Sequence, residues 1–301
     1  MIKKFILISF TLILFGCDRN EEITNSLNTP PLAGTGSFIY NQYDPFINKP
    51  IEVFYHVPEN LNNDLPILIS LHGAERNGSN HRNTLISKSN QLNFIVIVPQ
   101  FSNDFFTGGD GYNLANIFID GDNPSPSTLN QEDKWTFSVL DPIFNYVKDA
   151  STNTSNKYNL IGFSAGGQLA HRTFLFGNSI FRNTTVAMSP GWYTTLDDTI
   201  DFPYGLSNGP FQNNELNIRL SKQLIILVGA NDNDPNAPGL RRNSIVDLQG
   251  LNRLDRANHF FTLANSIASN QNINCNWQKF IVPNAAHELS PISNYAINLL
   301  Y

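Results

Sequence analysis

Residues 162–166 read Gly162-Phe163-Ser164-Ala165-Gly166, a G-x-S-x-G pattern. An apolar run, 158–161 (YNLI), precedes it, and a helical pattern over 165–176 follows it. A serine held at a strand-to-helix turn has its Oγ lifted clear of the sheet, and flanking glycines leave room for backbone that any Cβ would strike. Ser164 is therefore the candidate nucleophile. The amide of Ala165 would lie at a helix N-terminus, aimed at the oxygen of an incoming carbonyl.

A serine hydroxyl is a weak nucleophile without a base, and the base needs a carboxylate to hold its tautomer. Of six histidines, His287 stands just past the apolar run 277–282 (WQKFIV) and before a closing helical pattern. His171, seven residues beyond Ser164 on the same helical pattern, points elsewhere and reads as packing; His56, His81 and His259 lack a strand-end position. The acid candidates lie in Gly229-Ala230-Asn231-Asp232-Asn233-Asp234-Pro235, directly after the run 224–228 (LIILV). Asp232 is preferred, with Asp234 left open as the alternative.

The elements that must position these groups are legible as short continuous apolar runs. Residues 66–71 (PILISL), 94–98 (FIVIV), 158–161, 224–228 and 277–282 suit strands buried on both faces of a parallel sheet, and 51–57 (IEVFYHV) alternates like a strand. Helical patterns at 138–148, 165–176, 257–268 and 292–300 lie between or after them. Strands alternating with helices predict an α/β class fold, a mostly parallel doubly wound sheet flanked by helices. Residues 36–301 are expected to form one catalytic domain, with ligands beyond the C-terminal ends of the strands. Segments 101–135 and 190–212, long and rich in Gly, Asn and Asp, are the expected site walls; Tyr112, Trp135, Trp192 and Tyr193 are the candidate substrate-binding aromatics, with loop anchoring as the other reading. Arg241 and Arg242 suit either an acidic substrate group or pairing with aspartates. Asp120-Gly121-Asp122 reads as a turn rather than a calcium loop.

Composition narrows the classes. The 301 residues are 41% hydrophobic and 15% charged, too apolar for a disordered chain. Nineteen Lys and Arg stand against 25 Asp and Glu, a formal net charge of −6, which argues against nucleic acid as a partner.

The order Ser164, Asp232, His287 resembles the α/β-hydrolase superfamily over roughly residues 50–300. Within it, His72-Gly73 and Gly162-Phe163-Ser164-Ala165-Gly166-Gly167 resemble the polyhydroxybutyrate-depolymerase and feruloyl-esterase-like secreted esterases. Arg76-Asn77, Gly111-Tyr112-Asn113-Leu114, Trp135-Thr136-Phe137, Gly191-Trp192-Tyr193, residues 202–206 and Leu240-Arg241-Arg242 are similar to a bacterial subgroup of hydrolases. The resemblance implies hydrolysis of a small-molecule or polymeric ester through an acyl-enzyme, with no cofactor and no metal. It also implies an oxyanion hole formed by the amides of Ala74 and Ala165, with His72 a structural ring that fixes its loop. The acidic neighbour of Asp232 departs from the pattern. A non-catalytic envelope binding protein or a peptidase on the same fold are the competing readings.

Residues 1–17 (MIKKFILISFTLILFGC) pair a basic start with a short apolar stretch, the form of a signal peptide. Leu14-Phe15-Gly16-Cys17 resembles a bacterial lipobox, which implies removal of residues 1–16, lipidation (palmitate among the acyl groups) at Cys17, and a lipoprotein anchored to a membrane of the cell envelope, its leaflet open. Residues 17–35 are then a flexible tether. The second cysteine, Cys275, has no partner left within the chain for a disulfide.

Overall fold

Runs of Val, Ile and Leu with no polar interruption must be covered on both faces, and the chain meets that demand with one eight-stranded sheet between two layers of helices. The computed structural model describes residues 32–59, 63–211 and 215–301. The expected leader, Cys17 and the tether as far as residue 31 lie outside the described residues. The strands are β1 (Gly34–Tyr40), β2 (Ile51–Val57), β3 (Ile67–Leu71), β4 (Ile95–Gln100), β5 (Tyr158–Phe163), β6 (Arg182–Met188), β7 (Leu224–Gly229) and β8 (Gln278–Val282). The helices are α1 (Gly78–Leu92), α2 (Leu140–Ser151), α3 (Ala165–Phe176), α4 (Leu216–Ser221), α5 (Arg253–Asn270) and α6 (Leu289–Leu300).

The strand order is β1-β2-β4-β3-β5-β6-β7-β8, antiparallel at β1 and β2 and parallel from β4 to β8. This is the expected α/β architecture. The sequence reading needs correction at one boundary and for four elements. Gly34 and Thr35, assigned above to the tether, already pair with Val57 and His56 as the start of β1. β1, β6, α1 and α4 have no counterpart in the sequence reading. β6 opens with Arg-Asn-Thr-Thr, and only its last residues are apolar. α1 buries only Gly78, His81, Leu85 and Ser89, so its inward face is mostly polar or small.

Alternate side chains of the buried strands serve different layers. Ile67, Ile69 and Leu71 of β3 join the core beneath α2, α3 and α5, whereas Leu68 joins the core beneath α1 and α6. The chain passes from β3 to β4 on one side and then returns to place β5 on the other, so the strand order reverses between β3 and β5. Crevices form at such reversals, at the C-terminal ends of the strands. Leu71 pairs with Gly162, and the segments after β3 and β5 leave the sheet side by side.

That proximity is enforced sterically. A Cβ on Gly166 would stand 2.2 Å from the carbonyl oxygen of Leu71 and 2.5 Å from that of His72, both backbone atoms with nowhere to move. Gly166→Ala is expected to destabilise the fold by about 3 kcal/mol or more, as overpacking against rigid backbone does. Urea or guanidinium unfolding of the purified variant checks this; a midpoint equal to wild type would show that the crowding is relieved at no cost.

Candidate active site

β5 ends in a turn that only a short glycine-flanked segment can make. Ser164 takes φ +56° and ψ −115° as N-cap of α3, a positive φ that side-chain-bearing residues rarely adopt. The strain is held by backbone bonds on both sides: the Ser164 amide donates to the Met188 carbonyl at 2.9 Å, and the Gln168 amide donates to the Ser164 carbonyl at 3.0 Å. A Cβ on Gly162 would lie 2.1 Å from the Gly166 carbonyl oxygen. The two glycines of the motif therefore face each other across the turn.

His287 arrives from the far end of the sheet. Its loop after β8 folds against the loop after β7, where the Asn231 amide donates to the Ala285 carbonyl at 2.8 Å. A Cβ on Gly229 would stand 2.3 Å from that same oxygen, so the close approach requires glycine. The imidazole stacks on Phe163 with ring centres 4.7 Å apart. Ser164 Oγ and His287 Nε2 are 3.0 Å apart, and His287 Nδ1 and Asp232 Oδ2 are 2.8 Å apart. With the imidazole neutral, the serine hydroxyl donates to Nε2 and Nδ1–H donates to the carboxylate. Asp232 is buried, whereas Asp234 is exposed and accepts the Asn236 amide in a local turn. The open choice between the two acids resolves geometrically toward Asp232.

Asp232 has a second partner that the sequence reading missed. Arg253 Nη1 lies 3.3 Å from Asp232 Oδ1, and both side chains are buried. Arg253 opens α5, whose next residue, Leu254, donates its amide to the Asp232 carbonyl. The carboxylate is thus held from two sides, with one oxygen left for the histidine. An arginine 21 positions along the chain gives no local signal of this contact.

The segment after β3 is anchored with unusual density. The Phe101 amide donates to His72 Nε2 at 3.0 Å, so the ring proton sits on Nδ1 and is donated to the Gly73 carbonyl. Tyr112 stacks on this ring at 4.6 Å and donates its hydroxyl to the His72 carbonyl. Arg76, itself at φ +58°, donates to the carbonyls of Phe101, Phe106 and Gly108 and lies over the Tyr112 ring. The Gly73 amide donates to His81 Nε2 at 3.2 Å. The amides of Ala74 and Ala165 have no acceptor in the chain among the described residues; Ala74 lines the same cleft as Ser164, and Ala165 follows Ser164 as the first residue of α3.

A cleft of about 330 Å³ opens over these groups, lined by Gly73, Ala74, Glu75, Asn77, Asn80, His81, Phe163, Ser164, His287 and Leu289. None of the four aromatics proposed above as substrate-binding lines it, and that expectation is corrected. Tyr112 is buried against His72. Trp135 is buried on Phe137 and donates its indole N–H to the Asn130 carbonyl. Trp192 is buried between Arg172 and Arg241, and Tyr193 is buried and stacks on Phe260. Their rings fasten long loops, as large apolar bodies do when the backbone around them is irregular. Arg241 and Arg242 are paired, with Asp122 and Asp247 respectively.

Burial holds three histidines neutral: His72 is lowered to about 3, His81 to about 4, and His171 well below the ordinary value of 6.5. The unfolded chain therefore binds protons that the folded one does not once the pH is below 6.5. Their contribution is complete above that value and is lost as pH falls toward 4, by up to about 1.4 kcal/mol per pH unit for each ring. Chemical denaturation between pH 7.5 and 4.5 is expected to show this decline. Arg253→Met should cost about 3–5 kcal/mol in the same assay at neutral pH, because it leaves a buried carboxylate without its cation.

No protein-family model and no curated protein matches the chain. Among solved structures it is similar to poly(aspartic acid) hydrolase-1 from Sphingomonas sp. KT-1, with 32% identity over 89% of this chain and 98% of that one and a TM-score of 0.82. It is also similar to LpqC, a poly(3-hydroxybutyrate) depolymerase from Bordetella parapertussis, with 25% identity, 90% of each chain covered and a TM-score of 0.83. FphF, a fluorophosphonate-binding serine hydrolase of Staphylococcus aureus, shares the fold at 14% identity, with 89% of this chain and 99% of that one covered and a TM-score of 0.56. By this likeness and by its sheet and crevice, the chain belongs to the α/β-hydrolase superfamily, beside the esterase-like depolymerases, and is a hydrolase.

Proposed function

We propose that this hydrolase is a serine esterase that works through an acyl-enzyme. The observation that carries the reading is the unbroken contact from Ser164 Oγ through His287 to Asp232, at 3.0 and 2.8 Å. Oγ attacks the ester carbonyl carbon as its proton passes to His287 Nε2. The carbonyl oxygen, now negative, is held by the Ala74 and Ala165 amides, donors already in place that need no reorganisation. Asp232 stabilises the imidazolium. The imidazolium then protonates the departing alkoxide, the C–O bond breaks, and an acyl-Ser164 ester remains. Water, deprotonated by the same imidazole, attacks that ester; the acid leaves and Oγ regains its proton. The esterase reading draws support from the depolymerase likeness, since poly(3-hydroxybutyrate) is a polyester. The poly(aspartic acid) hydrolase likeness makes amide substrates the comparison to run beside it.

The reading extends to location: Cys17 carries lipid and residues 17–31 tether the domain to an envelope membrane. The support is the lipobox-like sequence, and Cys17→Ser should move the protein from the membrane to the soluble fraction.

A fluorophosphonate probe should label wild type at Ser164 and leave Ser164→Ala unlabelled. Turnover of p-nitrophenyl esters should fall by about 10⁶-fold in Ser164→Ala and by about 10⁴-fold in Asp232→Asn, the scale for loss of these members in other serine hydrolases. Activity near wild type in Ser164→Ala would end the proposal, and faster turnover of short peptides than of esters would reassign it to amides.

A further inference from the structure

Charge is distributed unevenly between the segments beyond the C-terminal strand ends and the rest of the chain. The segments that follow the C-terminal strand ends, residues 72–77, 101–139, 189–211, 230–252 and 283–288, carry fourteen Asp and Glu against four Lys and Arg. The remainder of the chain carries eleven against fifteen. The acidic surplus therefore sits on the segments beyond the end where the cleft opens. Of the fourteen acids, Asp122, Asp232 and Asp247 are ion-paired, with Arg241, with Arg253 and with Arg242 and Arg256 respectively; the other eleven have no ion-pair partner among the described residues, and Arg76 is engaged with three backbone carbonyls.

Within the cleft the pattern sharpens. Its titratable lining residues are Glu75, His81 and His287. His81 is buried and accepts the Gly73 amide, and His287 is the base. Glu75 is exposed, without a hydrogen-bond or ion-pair partner among the described residues, and follows the oxyanion donor Ala74 by one residue. Any substrate whose carbonyl oxygen reaches the Ala74 amide brings its neighbouring groups close to that carboxylate.

We infer that the cleft selects acyl substrates by charge, accepting uncharged and cationic ones and rejecting anionic ones, with Glu75 the residue that reads the charge. A carboxylate on the acyl chain meets a like charge at Glu75, within the acidic field of the surrounding segments, while a quaternary ammonium is drawn in by both. This rests on the esterase reading and narrows it. It also sets the chain apart from its relative named for poly(aspartic acid), a polyanion that this cleft would repel.

The test compares kcat/KM of the full-length protein in neutral detergent for three p-nitrophenyl esters: butyrate, hemisuccinate, and the trimethylammonio-substituted butyrate. At low ionic strength the hemisuccinate should be poorer than the butyrate by about tenfold, and the cationic ester should exceed both. Raising the salt to about 0.5 M should bring the three ratios together, since exposed charges are screened over a few ångströms there. Glu75→Lys should invert the anionic-to-cationic ratio, with Glu75→Gln between the two. Equal ratios in wild type at low salt, or ratios that neither salt nor Glu75→Lys moves, would overturn the inference. Neutral and carboxylate-bearing fluorophosphonates, compared by their rate of labelling Ser164, read the same selectivity without ester turnover. If the labels discriminate but no ester is cleaved, the esterase reading fails and the charge selection stands. If neither probe labels, both fall together.

Discussion

Backbone crowding at the reversal between β3 and β5 is the constraint on which the rest of this site depends. Ser164 adopts its φ of +56° only because the turn is closed from every side, with Gly162 against Gly166, Gly166 against the carbonyls of Leu71 and His72, and its own amide on Met188. The same crowding brings the segment after β3 beside the N-terminus of α3. Ala74 and Ser164, on different segments, thereby come to line one cleft. A looser turn would leave each group present and the constellation absent, which is why backbone strain is tolerated here and stabilised by neighbouring contacts.

Around this point the protein uses polar side chains as structural fasteners. Arg76 gathers three carbonyls from the long segment after β4. Arg256, lowered to about 10 by burial, donates to the carbonyls of Gly250, Gly191 and Arg241 and reaches Asp247. Arg172, lowered to about 9 for the same reason, donates to Asn113 and Thr194 and lies over Trp192. Loops without strand partners leave carbonyls that need donors, and a guanidinium offers five in a fixed fork. His72, His81 and His171 do similar work as neutral rings, each accepting a backbone amide. Residues 101–135 and 190–212, expected as site walls, supply none of the residues that line the cleft; the first of these loops instead backs the segment after β3, and the cleft is lined by residues from 73–81, 163–164 and 287–289.

The sheet was readable where the physics is local. A strand buried on both faces must be continuously apolar, so β3, β4, β5 and β7 announce themselves in four to six residues. β1 (GTGSFIY) lies on an edge and carries small polar residues, and β6 hides behind its polar start, so neither has that signature. Among helices, α3 stood out through the motif before it, whereas α1 buries a histidine, a glycine and a serine along with one leucine and shows no apolar stripe.

For the site, the sequence by itself determined which residue types could do the chemistry and at which strand ends they stand, because glycine spacing around Ser164 and the placing of Asp232 and His287 after apolar runs are one-dimensional facts. Tertiary structure alone decided that Asp232 rather than Asp234 faces the imidazole, that Arg253 closes the other side of that carboxylate, and that Phe163 supports the ring of His287. It likewise turned Tyr112, Trp135, Trp192 and Tyr193 into loop anchors and left Glu75 in the cleft. These are contacts between segments up to 124 residues apart, as between Phe163 and His287. Side-chain direction at the end of a loop is set by the packing it meets across the fold, and no local pattern in the chain encodes that.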